Sequence, residues 1–152
     1  NNSISDNNES NMFVTLIVGI LDLETGILKL CNAGHNPPIL IYPDGQVSYL
    51  EFKTQIFVGV VEDFKYSDEE VVLEKESKLF LYTDGVTEAE NINKELYGEE
   101  KLLEMLSDNA SSDVRTTVNV VVDSIASHVK EAEASDDLTI LLIQYEPGTA
   151  NS

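Results

Sequence analysis

The sequence has 152 residues, the size of one ordinary domain, and its 42% hydrophobic and 24% charged content is typical of a folded chain. It carries 28 acidic and 9 basic side chains, so its formal net charge is -19. This excess argues against nucleic acid or an anionic membrane surface as a partner, because both would be repelled. No apolar run approaches the roughly 18 residues of a membrane span, so no membrane insertion is expected. The single cysteine and the absence of a signal-peptide pattern favour the cytoplasm.

The chain opens with a polar stretch, residues 1–11, which is predicted to be the tail of a helix or a loose lead-in. Residues 12–22 are apolar on both alternating faces, and this pattern predicts a strand that is covered on both sides. Residues 27–33 follow a turn at Gly26, so they are predicted to return as the second strand of a hairpin.

Short strand patterns continue through the middle of the chain. Residues 39–42 and 46–52 flank a Pro-Asp-Gly turn and predict a second hairpin. Residues 53–64 are predicted to be a loop. Two further antiparallel strands are expected over 66–74 and 78–83.

The hydrophobic period changes from two to about 3.6 after the strand at 78–83. Residues 86–91, 98–107 and 113–131 are therefore predicted to be helical, and the last of these carries a continuous apolar stripe. A final strand is expected over 138–145, and residues 147–152 are predicted to be a tail. Strands with short turns, followed by helices and a closing strand, indicate an α+β fold.

Acidic side chains occur where two of the predicted strands end. Asp84 and Gly85 close one strand, and Asp136 and Asp137 precede another. If these strands are neighbours, Asp84 and Asp136 can face one cation, and oxygen ligands of this kind select Mg²⁺ or Mn²⁺. The alternative is that Asp-Gly is an ordinary turn and that the acidic pair lies in a solvated loop.

One of the two histidines is a candidate for chemistry at neutral pH. His35 lies in a Gly- and Pro-rich stretch and could protonate a leaving oxygen; the alternative is a loop histidine fixed by its neighbours. His128 lies off the apolar stripe of its helix and is predicted to be a solvated surface residue. Because the only arginine is Arg115, metal ions would have to provide most of the charge needed to bind a phosphate.

Several motifs occur together in a fixed order along the chain. They are Phe-Val-Thr at 13–15, Asn-Ala-Gly-His-Asn-Pro-Pro at 32–38, Leu-Tyr-Thr-Asp-Gly-Val-Thr-Glu-Ala at 81–89, Tyr-Gly at 97–98 and Asp-Asp-Leu-Thr at 136–139. In this arrangement the chain resembles the metal-dependent PPM (type 2C) serine/threonine phosphatases. It is most similar to the bacterial branch with the sporulation stage II E-type and sigma-factor-regulating enzymes.

The resemblance implies an α-β-β-α sandwich of two antiparallel sheets with flanking helices. It also implies hydrolysis of phosphoserine or phosphothreonine by water bound to a pair of Mn²⁺ or Mg²⁺ ions. By position, the resemblance assigns Asp84, Asp136 and Asp137 as metal ligands and places His35 near the site. The residues that it implies as structural neighbours of the site are Gly34, Asn36 and Gly85.

The resemblance also implies that part of the domain is missing. The family has a Gly-Asp motif with a bridging metal ligand, and no such motif precedes residue 12. We therefore expect an N-terminally truncated domain that spans residues 12–146, binds metal weakly or not at all, and is inactive or nearly so. Sheet edges left open by the truncation predict homo-oligomers.

These observations favour one function over two others. The leading hypothesis is part of a protein phosphatase that acts on a phosphoserine regulator, by resemblance one of the anti-anti-sigma type. The alternative is a non-catalytic module with the same fold that serves docking or regulation. An unrelated acidic α+β interaction domain is the third hypothesis, and it is favoured if Asp84 and Asp136 lie far apart.

Overall fold

The computed structural model describes residues 1–6, 8, 11–132 and 137–147, and these divide into two compact units. Of these described residues, the first unit comprises those within 1–37 and 51–73 together with residue 147, and the second comprises those within 38–50 and 74–146. In chain order the elements are α1 (Asn2–Ser5), β1 (Leu16–Leu21), β2 (Ile27–Ala33), β3 (Ile39–Ile41), β4 (Val47–Tyr49), β5 (Thr54–Gln55), β6 (Glu69–Val72), β7 (Lys78–Tyr82), α2 (Asp84–Thr87), α3 (Glu99–Asp108), α4 (Val114–Val129) and β8 (Ile140–Gln144).

The sheet of the first unit is built around β2. The predicted hairpin is confirmed, since β1 pairs antiparallel with β2 from Leu16 opposite Ala33 to Leu21 opposite Leu28. On its other side β2 pairs antiparallel with β6 and parallel with β5. The prediction of a plain loop over 53–64 was therefore wrong at β5, because a strand of two residues is too short to show a period.

The expectation that the first strand is covered on both sides was also wrong. β1 lies at the edge of its sheet, and alternate side chains on it are exposed. Leu16, Val18 and Ile20 are 44%, 53% and 70% exposed. An apolar run shows what a strand is able to bury, whereas the layer that covers it is a property of the tertiary structure.

The second unit contains a sheet with the strand order β4-β3-β7-β8, in which all neighbours are antiparallel. The hairpin predicted from 39–42 and 46–52 is confirmed as β3 and β4. Tyr82 in β7 lies opposite Ile140 in β8. The two strands that precede and follow the acidic motifs are therefore neighbours, as the metal-site hypothesis requires.

The core of the second unit joins this sheet to the helices. Apolar residues of β3 and β7 are fully buried together with residues from α3 and α4, and the larger members are Ile39, Ile41, Phe80, Leu102, Leu106, Val121 and Ile125. Asp113 caps α4, because its side chain accepts a hydrogen bond from the Thr116 amide. No helix in the described ranges has both the length and the apolar character needed to cross a bilayer.

β7 is anchored at its first residue by a buried cation. Lys78 is only 6% exposed, and its Nζ donates to the backbone carbonyls of Ala110 and Ser112 between α3 and α4. Burial lowers the pKa of the Lys78 ammonium. This contact secures the end of β7 that lies farthest from Asp84.

The prediction of a solvated His128 was wrong. The ring is half-buried, its Nε2 lies 2.9 Å from the carbonyl oxygen of Glu95, and its Nδ1 lies 3.4 Å from Lys101 Nζ. It also makes an edge contact with the Tyr97 ring, with 5.6 Å between the centroids. His128 is thus a structural residue that ties α4 to the segment before α3.

Candidate functional site

The Asp-Gly motif lies where β7 passes into α2, and the segment before β8 is fastened beside it. The Thr83 amide donates to the Thr139 carbonyl at 3.1 Å, and the Thr139 amide donates to Thr83 Oγ1 at 3.1 Å. Thr83 Oγ1 in turn donates to the Asp137 carbonyl at 3.3 Å. The Asp84–Gly85 turn and the 137–139 segment, far apart in sequence, therefore meet at one end of the β7–β8 pair.

Gly85 leaves no room for a side chain at this junction. A Cβ atom at this position would lie 2.4 Å from the Asp137 carbonyl oxygen and 3.1 Å from its carbon. These are backbone atoms, so no rotamer change relieves the overlap. Only glycine therefore allows the 137–139 segment to approach the start of α2 this closely.

Asp84 is exposed and is oriented by its own turn. Its Oδ1 accepts a hydrogen bond from the Gly85 amide at 3.1 Å, and its backbone carbonyl accepts from the Glu88 amide at 2.8 Å. Asp137 is also exposed. Asp136 lies outside the described residues, so the predicted meeting of its carboxylate with that of Asp84 stays a prediction.

The metal site can be tested only through the ligands that the structure describes. No group of three or more His, Cys, Asp or Glu side chains within the described ranges is placed to hold a metal ion. The donors present near the turn, Asp84 and Asp137, are carboxylates, and their chemistry suits Mg²⁺ or Mn²⁺. The described residues thus fit such an ion in ligand type and fall short in ligand number.

The histidine motif forms a tight loop at the end of β2 in the first unit. Asn32 is 1% exposed, and its side chain accepts from the His35 amide at 2.8 Å and donates to the His35 carbonyl at 2.9 Å. Gly34 has a φ of +77°, and a Cβ there would lie 1.8 Å from Phe57 Cδ1. Asn36, predicted as a structural neighbour of the site, is half-buried. Asn32 and Phe57 therefore define the path of the backbone through His35.

Sequence reasoning missed two partners of the histidine. One is Asn32, although a buried Asn that bonds to the backbone of residue i+3 is a recognised loop device. The other is Thr15, whose Oγ1 lies 3.1 Å from His35 Nδ1. The Phe-Val-Thr motif at 13–15 was a signal for Thr15, but its partner is twenty residues away in sequence.

The model of the family described as stage II sporulation protein E (SpoIIE) matches residues 1–146. The chain belongs to this family. It is 24% identical over 145 residues to the phosphoserine phosphatase RsbU of Bacillus subtilis, with 95% of this chain and 42% of RsbU covered. The chain spans 42% of the length of RsbU and 20% of the length of another curated relative that it matches.

Solved structures show the same fold. The manganese-presoaked phosphatase domain of SpoIIE from Bacillus subtilis aligns with a TM-score of 0.70 at 16% identity, over 97% of this chain and 64% of that one. RsbX in complex with magnesium aligns with a TM-score of 0.62 at 19% identity, over 93% of this chain and 59% of the RsbX chain. The predicted family resemblance and the predicted PPM-type α+β fold class are both confirmed.

Proposed function

We propose that the intact domain to which this chain belongs is a protein phosphatase that hydrolyses phosphoserine with Mn²⁺ or Mg²⁺. The observation that carries the proposal is the junction at the end of β7 and β8, where the Asp84–Gly85 turn packs against the backbone at 137–139. Membership of the SpoIIE family and the similarity to a phosphoserine phosphatase support it.

The residues that would hold the metal are Asp84, Asp136 and Asp137. A bound divalent ion lowers the pKa of its water and neutralises phosphate oxygens. The chain's own part is orientation: the Gly85 amide holds one oxygen of Asp84, and the missing Cβ of Gly85 lets the 137–139 segment approach.

The proposed substrate is a regulatory protein phosphorylated on serine, of the anti-anti-sigma type, in the cytoplasm. A net charge of -19 favours a substrate with basic residues around its phosphoserine. A second candidate function is a non-catalytic docking or regulatory module with the same fold. It is favoured by the absence of a three-ligand metal cluster within the described ranges.

Turnover of para-nitrophenyl phosphate with added Mn²⁺ tests the proposal. We expect this chain alone to show almost no turnover, because the residues that the structure describes assemble too few ligands. A longer form that includes the family's Gly-Asp segment should turn over substrate, and Asp84→Asn should lower its kcat at least about 100-fold. Loss of a residue that merely orients a metal ligand costs up to about 100-fold in activity, and loss of the ligand itself should cost at least as much.

The matched control is Asp123→Asn, which removes an exposed carboxylate from α4 and should leave kcat unchanged. If the longer form kept its turnover after Asp84→Asn, the assignment of Asp84 as a metal ligand would be contradicted. Failure of the longer form to bind Mn²⁺ in calorimetry would favour the docking module.

We also propose that this chain self-associates through β1. The strand is at a sheet edge, and residues 12–21 contain no charge or proline, the devices that normally prevent edge pairing. Light scattering should therefore show dimers or larger species. Val18→Lys should shift them to monomers, whereas Ile92→Lys, at an exposed apolar residue of the second unit, should not. A wild-type chain that is monomeric at high concentration would contradict this proposal.

A further inference from the structure

The side chain of His35 is held at one ring nitrogen. Thr15 Oγ1 lies 3.1 Å from Nδ1, and this is the one side-chain contact of the ring among the hydrogen bonds of the described residues. In a neutral imidazole one nitrogen is a donor and the other an acceptor. Whatever engages Nδ1 therefore decides what Nε2 can offer to a ligand.

Thr15 is itself fixed by the residues just before it. Val14 exchanges two backbone hydrogen bonds with Val58, each 2.9 Å long. The Phe13 ring stacks on the Phe57 ring with 5.0 Å between the centroids. Since Phe57 also packs against Gly34, the chain before Thr15 and the loop before His35 are held by the same aromatic ring.

The backbone of His35 is fixed independently of its ring. Both its amide and its carbonyl bond to the buried side chain of Asn32, at 2.8 and 2.9 Å. Backbone and ring are therefore both constrained before any ligand arrives. A donor held in this way loses little conformational entropy on binding, which is the property of a preorganised site.

We propose that Thr15 is a positioning residue for His35: its hydroxyl donates to Nδ1, so that the neutral ring carries its proton on Nε2 and presents that N–H to a phosphate oxygen of the substrate. The inference rests on the proposed phosphatase function. Phosphate oxygens are acceptors, and the chain has a single arginine to serve them, at position 115 in the other unit. No proton is transferred in this role.

The hydroxyl of Thr15 can be tested without enzyme activity. Imidazole ¹⁵N chemical shifts, measured in buffer alkaline enough to keep the ring neutral, distinguish protonated from unprotonated nitrogens. We expect wild-type His35 to show an unprotonated Nδ1 and a protonated Nε2. Thr15→Val, which keeps the shape and removes the donor, should move both shifts toward an average of the two tautomers, whereas Thr15→Ser should keep the wild-type pattern.

His128 is the internal control, because both of its nitrogens have other neighbours, Glu95 and Lys101. Its shifts should be the same in all three proteins, which shows that the second unit, to which His128 belongs, is folded in each of them. The wild-type His35 pattern in Thr15→Ser shows the same for the first unit of that variant. If Thr15→Val kept the His35 shifts of the wild type, the inference would be overturned. It would also be overturned if Thr15→Ser lost the wild-type pattern.

A kinetic measurement tests the substrate contact. Removing a preorganised donor typically costs roughly 10²–10³-fold in kcat, and a misoriented one should cost part of that. In a longer, active form of the domain we expect Thr15→Val to lower kcat roughly tenfold with little change in KM, and Thr15→Ser to restore it. An unchanged kcat in Thr15→Val would refute the role. If the longer form has no activity at all, the proposed function fails, while the ¹⁵N shifts still decide the tautomer.

Discussion

Gly34→Ala should unfold the histidine loop and cost the protein about 3 kcal/mol or more of its free energy of unfolding. Two separate costs to the stability of the folded protein add at this position, one from the backbone conformation and one from a steric clash. The φ of +77° is a conformation that residues with a Cβ adopt at a cost of about 1–2 kcal/mol. The new methyl group would also lie 1.8 Å from Phe57 Cδ1, so the ring must leave its place between Gly34 and Phe13.

The two terms can be separated with a matched control. Gly45 also has a positive φ, +89°, but a Cβ there meets only Ala110 at an ordinary 3.9 Å. Gly45→Ala should therefore cost only the backbone term, about 1–2 kcal/mol. Urea unfolding measures both variants.

A double mutant checks the cause of the larger loss. If the clash with the ring is responsible, Phe57→Leu should destabilise the wild type and yet partly rescue Gly34→Ala, so that the two changes are not additive. Equal losses in Gly34→Ala and Gly45→Ala would show that the loop accommodates the methyl group. Gly34→Ala should also change the ¹⁵N shifts of His35, because the displaced Phe57 ring lies against both the histidine loop and Phe13.

Gly85→Ala should be the second costly substitution, with an expected loss of about 2–3 kcal/mol, at the upper end for overpacking. A Cβ at this position meets the Asp137 carbonyl at 2.4 Å, and backbone cannot rotate away as a side chain can. The 137–139 segment must then move from Thr83, which strains the hydrogen bonds between Thr83 and Thr139. Thermal or urea unfolding measures the loss.

Gly19→Ala is the control for an added methyl group. Gly19 is exposed on β1, and its closest neighbour would be the end of the Leu28 side chain at 3.3 Å, which is free to adjust. This change should alter stability by no more than about 0.5 kcal/mol. If Gly85→Ala were equally mild, the junction between the two acidic motifs would be much looser than the structure indicates. In a longer form of the domain, Gly85→Ala should also weaken Mn²⁺ binding, since it displaces the segment that carries Asp137.

Much of the fold was predictable because its signals are local. A continuous apolar run before a glycine turn identified β1, and the residues after that turn identified β2. The apolar stripe identified α4, since burial of one face imposes the period of a helix. The pairing of β7 with β8 was stated only as a condition of the metal site. β5 was missed because a two-residue strand exists only through its pairing with β2.

The candidate site shows the same division. The acidic residues at strand ends indicated Asp84 as a metal ligand, with Gly85 beside it. The motif around His35 was part of the family resemblance. The bonds from Asn32 and Thr15 to His35 were not predicted, nor was the aromatic ring of Phe57 behind Gly34. Each of these contacts joins residues through space rather than through a sequence period, so no pattern along the chain announces it.

By itself, the sequence determined the α+β class, the family and the acidic character of the surface, because these follow from composition, periodicity and motif order. Only the tertiary structure decided that the Asp84 turn meets the 137–139 segment and that Thr15 meets His35. It also decided that one face of β1 is open. The physical reason is that close packing, such as the approach of the Asp137 backbone that leaves no room for a Cβ at Gly85, depends on how whole elements are placed. A sequence pattern specifies only what each element can bury or bond.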